Sequence, residues 1–196
     1  MSGRRAELTS EGRIRIRPHA AAGCEDDCMD ARYEPPDHLP AVVRAMLSTT
    51  HDRHLDLVAL ISGLPGAALG WVPGPDAPAL AGLVLHIVDV ETHLASIADG
   101  VDDRWAGDNG SHIRDLATSA ELRDALERAD ARMQVAFAAL DLGRLEAPAL
   151  GTTETLVVVL LEDLDHCALH HGQAQLTRNM WESAHPDAPR TYEHWR

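Results

Sequence analysis

Several residue types are absent or scarce in this chain, and each absence excludes a class of protein. Lysine is missing, so all 17 basic residues are arginines, and they face 31 acidic residues for a formal net charge of −14. Proteins that bind nucleic acid through its phosphates need a basic surface, which this composition does not provide. We therefore expect no nucleic-acid partner.

Cysteines and long apolar runs are also scarce. The chain has 3 cysteines, Cys24, Cys28 and Cys167, too few for a disulfide scaffold, and we expect them to be thiols. The spacing of Cys24 and Cys28 is a poor match to known zinc sites. No apolar run approaches the roughly 18–20 residues needed to cross a bilayer, and the first residues do not resemble a signal peptide. We expect a cytoplasmic protein with no membrane partner.

Residues 1–36 differ in composition from the rest of the chain. Arginines make the beginning basic, acidic residues follow, and Pro35-Pro36 closes the segment. The low apolar content cannot offset the cost of ordering the backbone, so we expect a flexible N-terminal tail. Within it, residues 13–17 alternate like a short strand, but no partner strand is visible. We expect residues 37–196 to form one domain.

Beyond the tail, apolar residues recur with helical spacing in four segments. These segments cover residues 39–62, 76–100, 118–140 and 153–181. Asp76 is the expected N-cap of the second helix, and Thr118 with Glu121 forms a capping box before the third. Four helices of this length joined by turns predict an all-α four-helix bundle. The predicted apolar face of the first helix consists of Val43, Met46, Leu47, Leu55, Val58 and Ile61.

Three histidines are candidates for binding a metal. His166 and His170 are spaced i, i+4 on the last predicted helix, so they share one face at about 5–6 Å between Cβ atoms. His86 falls on the apolar stripe of the second helix. Neutral imidazole is a common ligand for divalent metals. A core histidine satisfied by hydrogen bonds is the alternative for each, because the H-x-x-x-H spacing alone is a weak signal.

Two segments resemble the motifs of DinB/YfiT-like proteins. Gly82-Leu-Val-Leu-His-Ile-Val-Asp-Val-Glu91 is similar to the second-helix pattern G-L-x-x-H-[IL]-x-x-x-E. His166-Cys-Ala-Leu-His-His-Gly-Gln173 is similar to the last-helix pattern H-x-x-x-H-x-G-Q. The resemblance covers about residues 40–181. It implies a bundle with one long crossover and a divalent metal, zinc or nickel, held by His86, His166 and His170.

The resemblance also implies an enzyme, because three protein ligands leave positions open for substrate. Characterised branches of the family include thiol S-transferases, and the lysine-free, alanine-rich composition is typical of a GC-rich actinobacterial genome, which favours mycothiol. The expected reaction joins a low-molecular-weight thiol to an electrophile, with no catalytic residue assigned. The alternatives are a metal-dependent hydrolase and a non-catalytic carrier of a metal or small molecule, either a monomer or a homodimer.

Four further side chains near the motifs are candidates for orienting the imidazoles through hydrogen bonds. They are Asp89, Glu91, Asp163 and His171. The alternative is an exposed helix charge, which we favour for the acidic candidates other than Asp163. Cys167 is a soft donor within the histidine pair, but its position points it away from the shared face. Leu161 and Leu176 are expected to pack the last helix against the bundle if its histidine face is solvated.

Overall fold

The computed structural model describes residues 33–101 and 118–188, together with the backbone of residues 6–8 and 14–16. The chain divides into two units, Met1–Asp30 and Ala31–Arg196. In the first unit, strand β1 (Ala6–Leu8) pairs antiparallel with β2 (Ile14–Ile16). The alternation at residues 13–17 therefore has a partner strand that the sequence analysis did not identify. The remainder of the predicted flexible tail up to residue 32, with Cys24 and Cys28, lies outside the described residues.

Helices make up most of the second unit, which confirms the predicted all-α bundle. Its long helices are α1 (Ala41–Ile61), α3 (Leu80–Asp99), α4 (Ser119–Ala138) and α5 (Leu156–Ala184). A single turn, α2 (Gly66–Leu69), lies between α1 and α3, and a 3-10 turn (Leu142–Arg144) lies between α4 and α5. Tyr33, which falls within the predicted tail, packs against the apolar core of this unit.

Contacts between helices fix their directions. The Ser119 hydroxyl at the start of α4 donates to the carbonyl oxygen of Ile61 at the end of α1, so these two helices are antiparallel. Asp99 at the end of α3 pairs with Arg132 in the last third of α4 at 2.5 Å, so α3 and α4 are parallel. Arg178, late in α5, donates to the carbonyl oxygen of Leu60, late in α1, so these helices are parallel too. This order of directions is the one expected for a bundle with one long crossover.

The starts of α3 and α4 test the predicted caps. The capping box is present, because the Thr118 side chain accepts from the Glu121 amide and the Glu121 carboxylate accepts from the Thr118 amide. The other prediction was wrong, since α3 begins at Leu80 rather than next to Asp76. Pro78 explains the difference, because the residue before a proline is disfavoured in the helical region of backbone angles.

The buried face of α1 also differs from the predicted one. Leu55 and Val58 are only half-buried, whereas His51, His54 and Leu57 are buried in the core. The buried positions 43, 47, 50, 54, 57 and 61 follow a heptad spacing that passes through a histidine. Apolar spacing predicted the neighbouring residues instead, because histidine is less often fully buried than leucine or valine.

The interior consists of two apolar clusters separated by polar side chains. One cluster contains Leu47, Leu94, Met133 and Leu160, and the other contains Leu57, Ile87, Leu126 and Cys167. Between these positions, each long helix contributes buried polar residues, which we call the polar layer. The polar layer consists of His51 and His54 on α1, Glu91 on α3, Asp130 on α4 and Asp163 on α5.

Helix α3 is the most apolar of the described helices. It alone among them is long and apolar enough to span a membrane, with a mean hydropathy of 1.4 in its best window, and 61% of that window is buried inside the bundle. This burial is typical of the core helix of a globular bundle, because the apolar side chains already have protein partners.

Candidate metal centre

Three imidazole rings from two helices converge at one point. Nε2 of His166 lies 3.0 Å from Nε2 of His86 and 2.9 Å from Nε2 of His170. The three ring centroids are 4.3–4.9 Å apart. The structure thus brings together His86 from α3 with the i, i+4 pair of α5, the three candidates named from the sequence. We call them the histidine triad.

The spacing of the triad is suitable for a single ion. Two nitrogens bound to one ion at about 2.0–2.1 Å must lie about 2.8–3.4 Å apart, for angles at the metal between about 90° and 109°. The two distances to Nε2 of His166, 2.9 and 3.0 Å, fall in this range, and all three ligand atoms lie within 4.8 Å of one another. Among the described residues, the histidine, cysteine and carboxylate donors close enough to share an ion here are these three alone. A metal bound by them would keep open positions.

The triad lies at the edge of the bundle rather than in its centre. All three histidines are half-buried, in contrast to the fully buried polar layer. Next to them on α5, Leu169 and Gln173 are exposed to solvent. A small molecule could therefore reach the triad nitrogens from this side.

Gln173 is positioned to orient one of the rings. Its side-chain oxygen Oε1 lies 2.7 Å from Nδ1 of His170. An amide oxygen can only accept, so Nδ1 carries the proton and donates it. This tautomer leaves Nε2 of His170 with a free lone pair directed at the other two rings. Gln173 was part of the matched motif in the sequence, but its contact could not be inferred there.

The charge state of His166 favours metal ligation. Partial burial, together with the neighbouring His170 and His86, lowers the pKa of His166 to about 4. The ring is therefore neutral at pH 7, as a metal ligand must be.

Two other candidates on α5 lie away from the triad. Cys167 is buried in the core, where burial and then the carboxylates of Glu91 and Asp163 raise the pKa of its thiol. It is therefore a neutral thiol at pH 7, unsuited to metal ligation or nucleophilic attack. His171 is also buried, and Nε2 of its ring lies 3.4 Å from the Gln175 side-chain nitrogen. Burial lowers the pKa of His171, and its charged neighbours, Asp56 and Arg53, are on α1 rather than α3.

The acidic candidates have different surroundings. Glu91 is fully buried, so the expectation of an exposed helix charge was wrong for it, and it binds His54 across the bundle. Asp163 is also buried, as the sequence analysis favoured. Asp89 is half-buried on α3. An orienting contact from any of them to the triad stays a prediction.

His54 is the central residue of the polar layer. Its Nε2 makes a short hydrogen bond with Glu91, and its Nδ1 lies 3.3 Å from Asp130. Both partners are carboxylates, which accept only, so both ring nitrogens carry protons and the ring is an imidazolium. Burial alone would lower the pKa of His54, but Glu91 and Asp130 outweigh it and raise this pKa to about 10.

Asp130 is the second charged centre of the layer. It accepts hydrogen bonds from Nδ1 of His51 at 3.0 Å and from the Gln134 amide at 2.6 Å, besides the contact with His54. Burial opposes its ionisation, but the hydrogen bonds from His51 and His54 prevail and lower the pKa of Asp130 to about 2. Asp130 could not be identified from the sequence, because Leu126 and Met133 at the neighbouring positions of its stripe are apolar and predict an apolar face there.

Comparison with known proteins agrees with the fold and with the positions of the triad. The sequence profile of the DinB superfamily matches residues 49–174, which is more than half of the chain and includes His86, His166 and His170. A search of curated proteins gives no match. A helical bundle whose two motif-bearing helices join their histidines in one cluster, together with a match of this extent, places the chain in the DinB superfamily.

Proposed function

We propose that the histidine triad binds one divalent metal ion and that the protein is a metal-dependent transferase acting with a low-molecular-weight thiol. The observation that carries the proposal is the convergence of three half-buried imidazoles, in which Nε2 of His166 lies 2.9–3.0 Å from Nε2 of His170 and of His86. Family membership supports it, because the resemblance implies a metal held by these three histidines.

The chain's own residues divide the work at this site. His86, His166 and His170 supply nitrogen donors, and Gln173 fixes the tautomer of His170. A divalent ion bound by such donors lowers the pKa of a coordinated thiol or water toward neutrality. The half-buried rings leave one side open for the thiol and for the electrophile.

We propose an external thiol because the cysteine of the core is unsuited to act as the nucleophile. Cys167 is buried and has a raised pKa, so it cannot serve as the nucleophile at neutral pH. In the proposed transfer, the thiol sulfur bonds to an electrophilic carbon as the leaving group departs, and the thiol proton passes to solvent. The actinobacterial composition favours mycothiol as the thiol.

A conjugation assay on purified protein tests the proposal. Protein loaded with zinc or nickel is incubated with mycothiol and a haloacetamide or bimane electrophile, and the conjugate is measured by mass spectrometry. We expect metal-dependent conjugation that is lost in His170→Ala and retained in His38→Ala, which changes an exposed histidine of the bundle. Tight metal binding with no thiol affinity in calorimetry would favour the hydrolase. Metal or ligand binding with no turnover would favour the carrier.

A further inference from the structure

Three buried carboxylate oxygens of the polar layer have no hydrogen-bond partner among the described residues. Both side-chain oxygens of Asp163 are buried without a hydrogen bond, and so is Oε1 of Glu91. Asp163 is 5% exposed and Glu91 is 0% exposed, so neither carboxylate can be solvated by bulk water. A buried, unpartnered charge is among the most costly features a core can contain.

Two negative charges at this place would be less favourable still. Asp163 on α5 and Glu91 on α3 are close enough to interact electrostatically. In the described part of the chain, His54 is the cation that contacts Glu91 and Asp130, and its two N–H groups are already directed at these carboxylates. No proton of His54 remains to hydrogen-bond Asp163.

We propose that Asp163 is a neutral carboxylic acid at physiological pH, which removes the repulsion between it and Glu91 where α3 packs on α5. Glu91 keeps its charge, and its Oε2 remains bound to His54. The charged groups of the layer are then Glu91, His54 and Asp130, with the His54 cation between the two carboxylates. Burial, followed by the negative charge of Glu91, raises the pKa of Asp163, which agrees with this assignment.

The charged groups that act on Asp163 are His54 on α1 and Glu91 on α3, and Asp163 in turn acts on Cys167 on α5. Arg53 on α1 acts on Cys167, and Asp130 on α4 acts on His54. His54 lowers the pKa of Asp163, but its effect is smaller than those of burial and Glu91. Cys167 is a neutral thiol, so it supplies no positive charge.

Asp163 and Glu91 lie on the two helices that carry the histidine triad. Glu91 follows His86 by five residues on α3, and Asp163 precedes His166 by three residues on α5. Ionised, the two carboxylates would repel and separate α3 from α5 next to the triad. A neutral Asp163 removes this repulsion, whether or not the triad binds a metal.

The sign of the pH effect follows from linkage. A carboxyl whose pKa is raised on folding holds its proton longer in the folded than in the unfolded protein. Its contribution to stability is therefore full below the unfolded pKa, near 4, and is lost as pH rises toward the folded pKa. Asp163→Asn, which keeps the shape and cannot ionise, should abolish this part of the loss.

Infrared spectroscopy of the intact protein tests the protonation directly. With aspartate labelled by ¹³C at the side-chain carboxyl, we expect an isotope-sensitive C=O band of a protonated acid at pH 7 in the wild type. The band should be absent in Asp163→Asn and unchanged in Asp165→Asn, an exposed aspartate on the same helix. The absence of the band in the wild type at pH 7 would overturn the proposal, whether or not the variants fold.

Thermal unfolding gives a second readout. The Tm of Asp163→Asn should equal or exceed that of the wild type at pH 7, and the difference should grow up to pH 9, while Asp165→Asn follows the wild type. A lower Tm for Asp163→Asn would show that an ionised Asp163 stabilises the fold. If the wild type binds a second divalent ion per chain and Asp163→Asn loses it, then Asp163 and Glu91 bind a metal and Asp163 does not hold a proton. Either result overturns the proposal.

Discussion

Nε2 of His86 and Nε2 of His166 face each other across α3 and α5 at 3.0 Å, although 80 residues separate them in the sequence. Two imidazole nitrogens can meet at this distance only if a proton or a metal lies between them. A single proton satisfies two nitrogens, but the triad has three. This relationship is the reason to expect an ion at this place.

His86→Ala removes the one triad ligand that α3 supplies. We expect a chain that retains about one divalent ion after dialysis to lose it almost completely, measured by inductively coupled plasma mass spectrometry. The control is His38→Ala, which changes an exposed residue and should keep the ion. Full metal content in His86→Ala would show that the ion is bound elsewhere.

Gln173→Ala should weaken metal binding without abolishing it. The change removes the acceptor that holds the tautomer of His170, and loss of such an outer contact costs about 10–100-fold in affinity. Titration calorimetry with zinc or nickel measures the effect. Gln175→Ala is the matched control, because Gln175 contacts His171 instead of the triad. If the two variants lose affinity equally, the effect comes from α5 as a whole rather than from Gln173.

His54→Ala should strongly destabilise the bundle. It removes the cation from between Glu91 and Asp130, and breaking a buried ion pair in this way costs about 3–5 kcal/mol. Urea unfolding at pH 7 measures the change in the free energy of unfolding. A loss of less than about 1 kcal/mol, similar to an exposed ion pair, would mean that the chain of charges contributes little.

Stability should fall on the alkaline side of neutrality. The pKa of His54 is raised to about 10, so its contribution is full below pH 6.5 and is lost as pH rises from 6.5 to about 10. The midpoint of urea unfolding should decrease steadily over this window. Because Asp163→Asn leaves His54 in place, this variant should keep the His54 part of the decline. A midpoint that is constant from pH 6.5 to 10 contradicts the prediction.

The acid side has the opposite sign. The pKa of Asp130 is lowered to about 2, so its contribution is full well above the unfolded value near 4 and is lost as pH falls through this window toward 2. Asp130→Asn should therefore cost most near neutrality and least near pH 2, as measured by urea unfolding at both pH values. A cost that does not depend on pH would indicate that the charge of Asp130 is not what stabilises the layer.

The helices and the triad could be predicted from the sequence because each depends on short-range patterns. The capping box at Thr118 and Glu121 is a local motif, and the i, i+4 spacing places His166 and His170 on one face by helix geometry alone. His86 was a candidate because it lies on the apolar stripe of its own helix, and the family resemblance then joined it to the pair on the last helix.

The polar layer could not be predicted, because its members are distant in sequence and each is unfavourable alone. His54 is costly in a core until Glu91 and Asp130, 37 and 76 residues away, satisfy it. On α5, Leu161 and Leu176 were expected to pack only if the histidine face were solvated. They are 52% and 59% exposed, whereas Asp163 and Arg178 are buried. The spacing of apolar residues predicts the buried face of a helix only where that face contains no buried polar residues.

The polar layer also fixes the register of the helices. Apolar side chains tolerate sliding, since one leucine replaces another, but a slip of one turn, about 5.4 Å, would place His54 or Asp130 against an apolar cluster. Asp163 lies three residues from His166, and Glu91 lies five from His86, so the level of the layer also sets the level of the triad. The buried polar residues in the centre thus fix the axial position of α3 relative to α5, and with it the position at which the histidines of the triad meet.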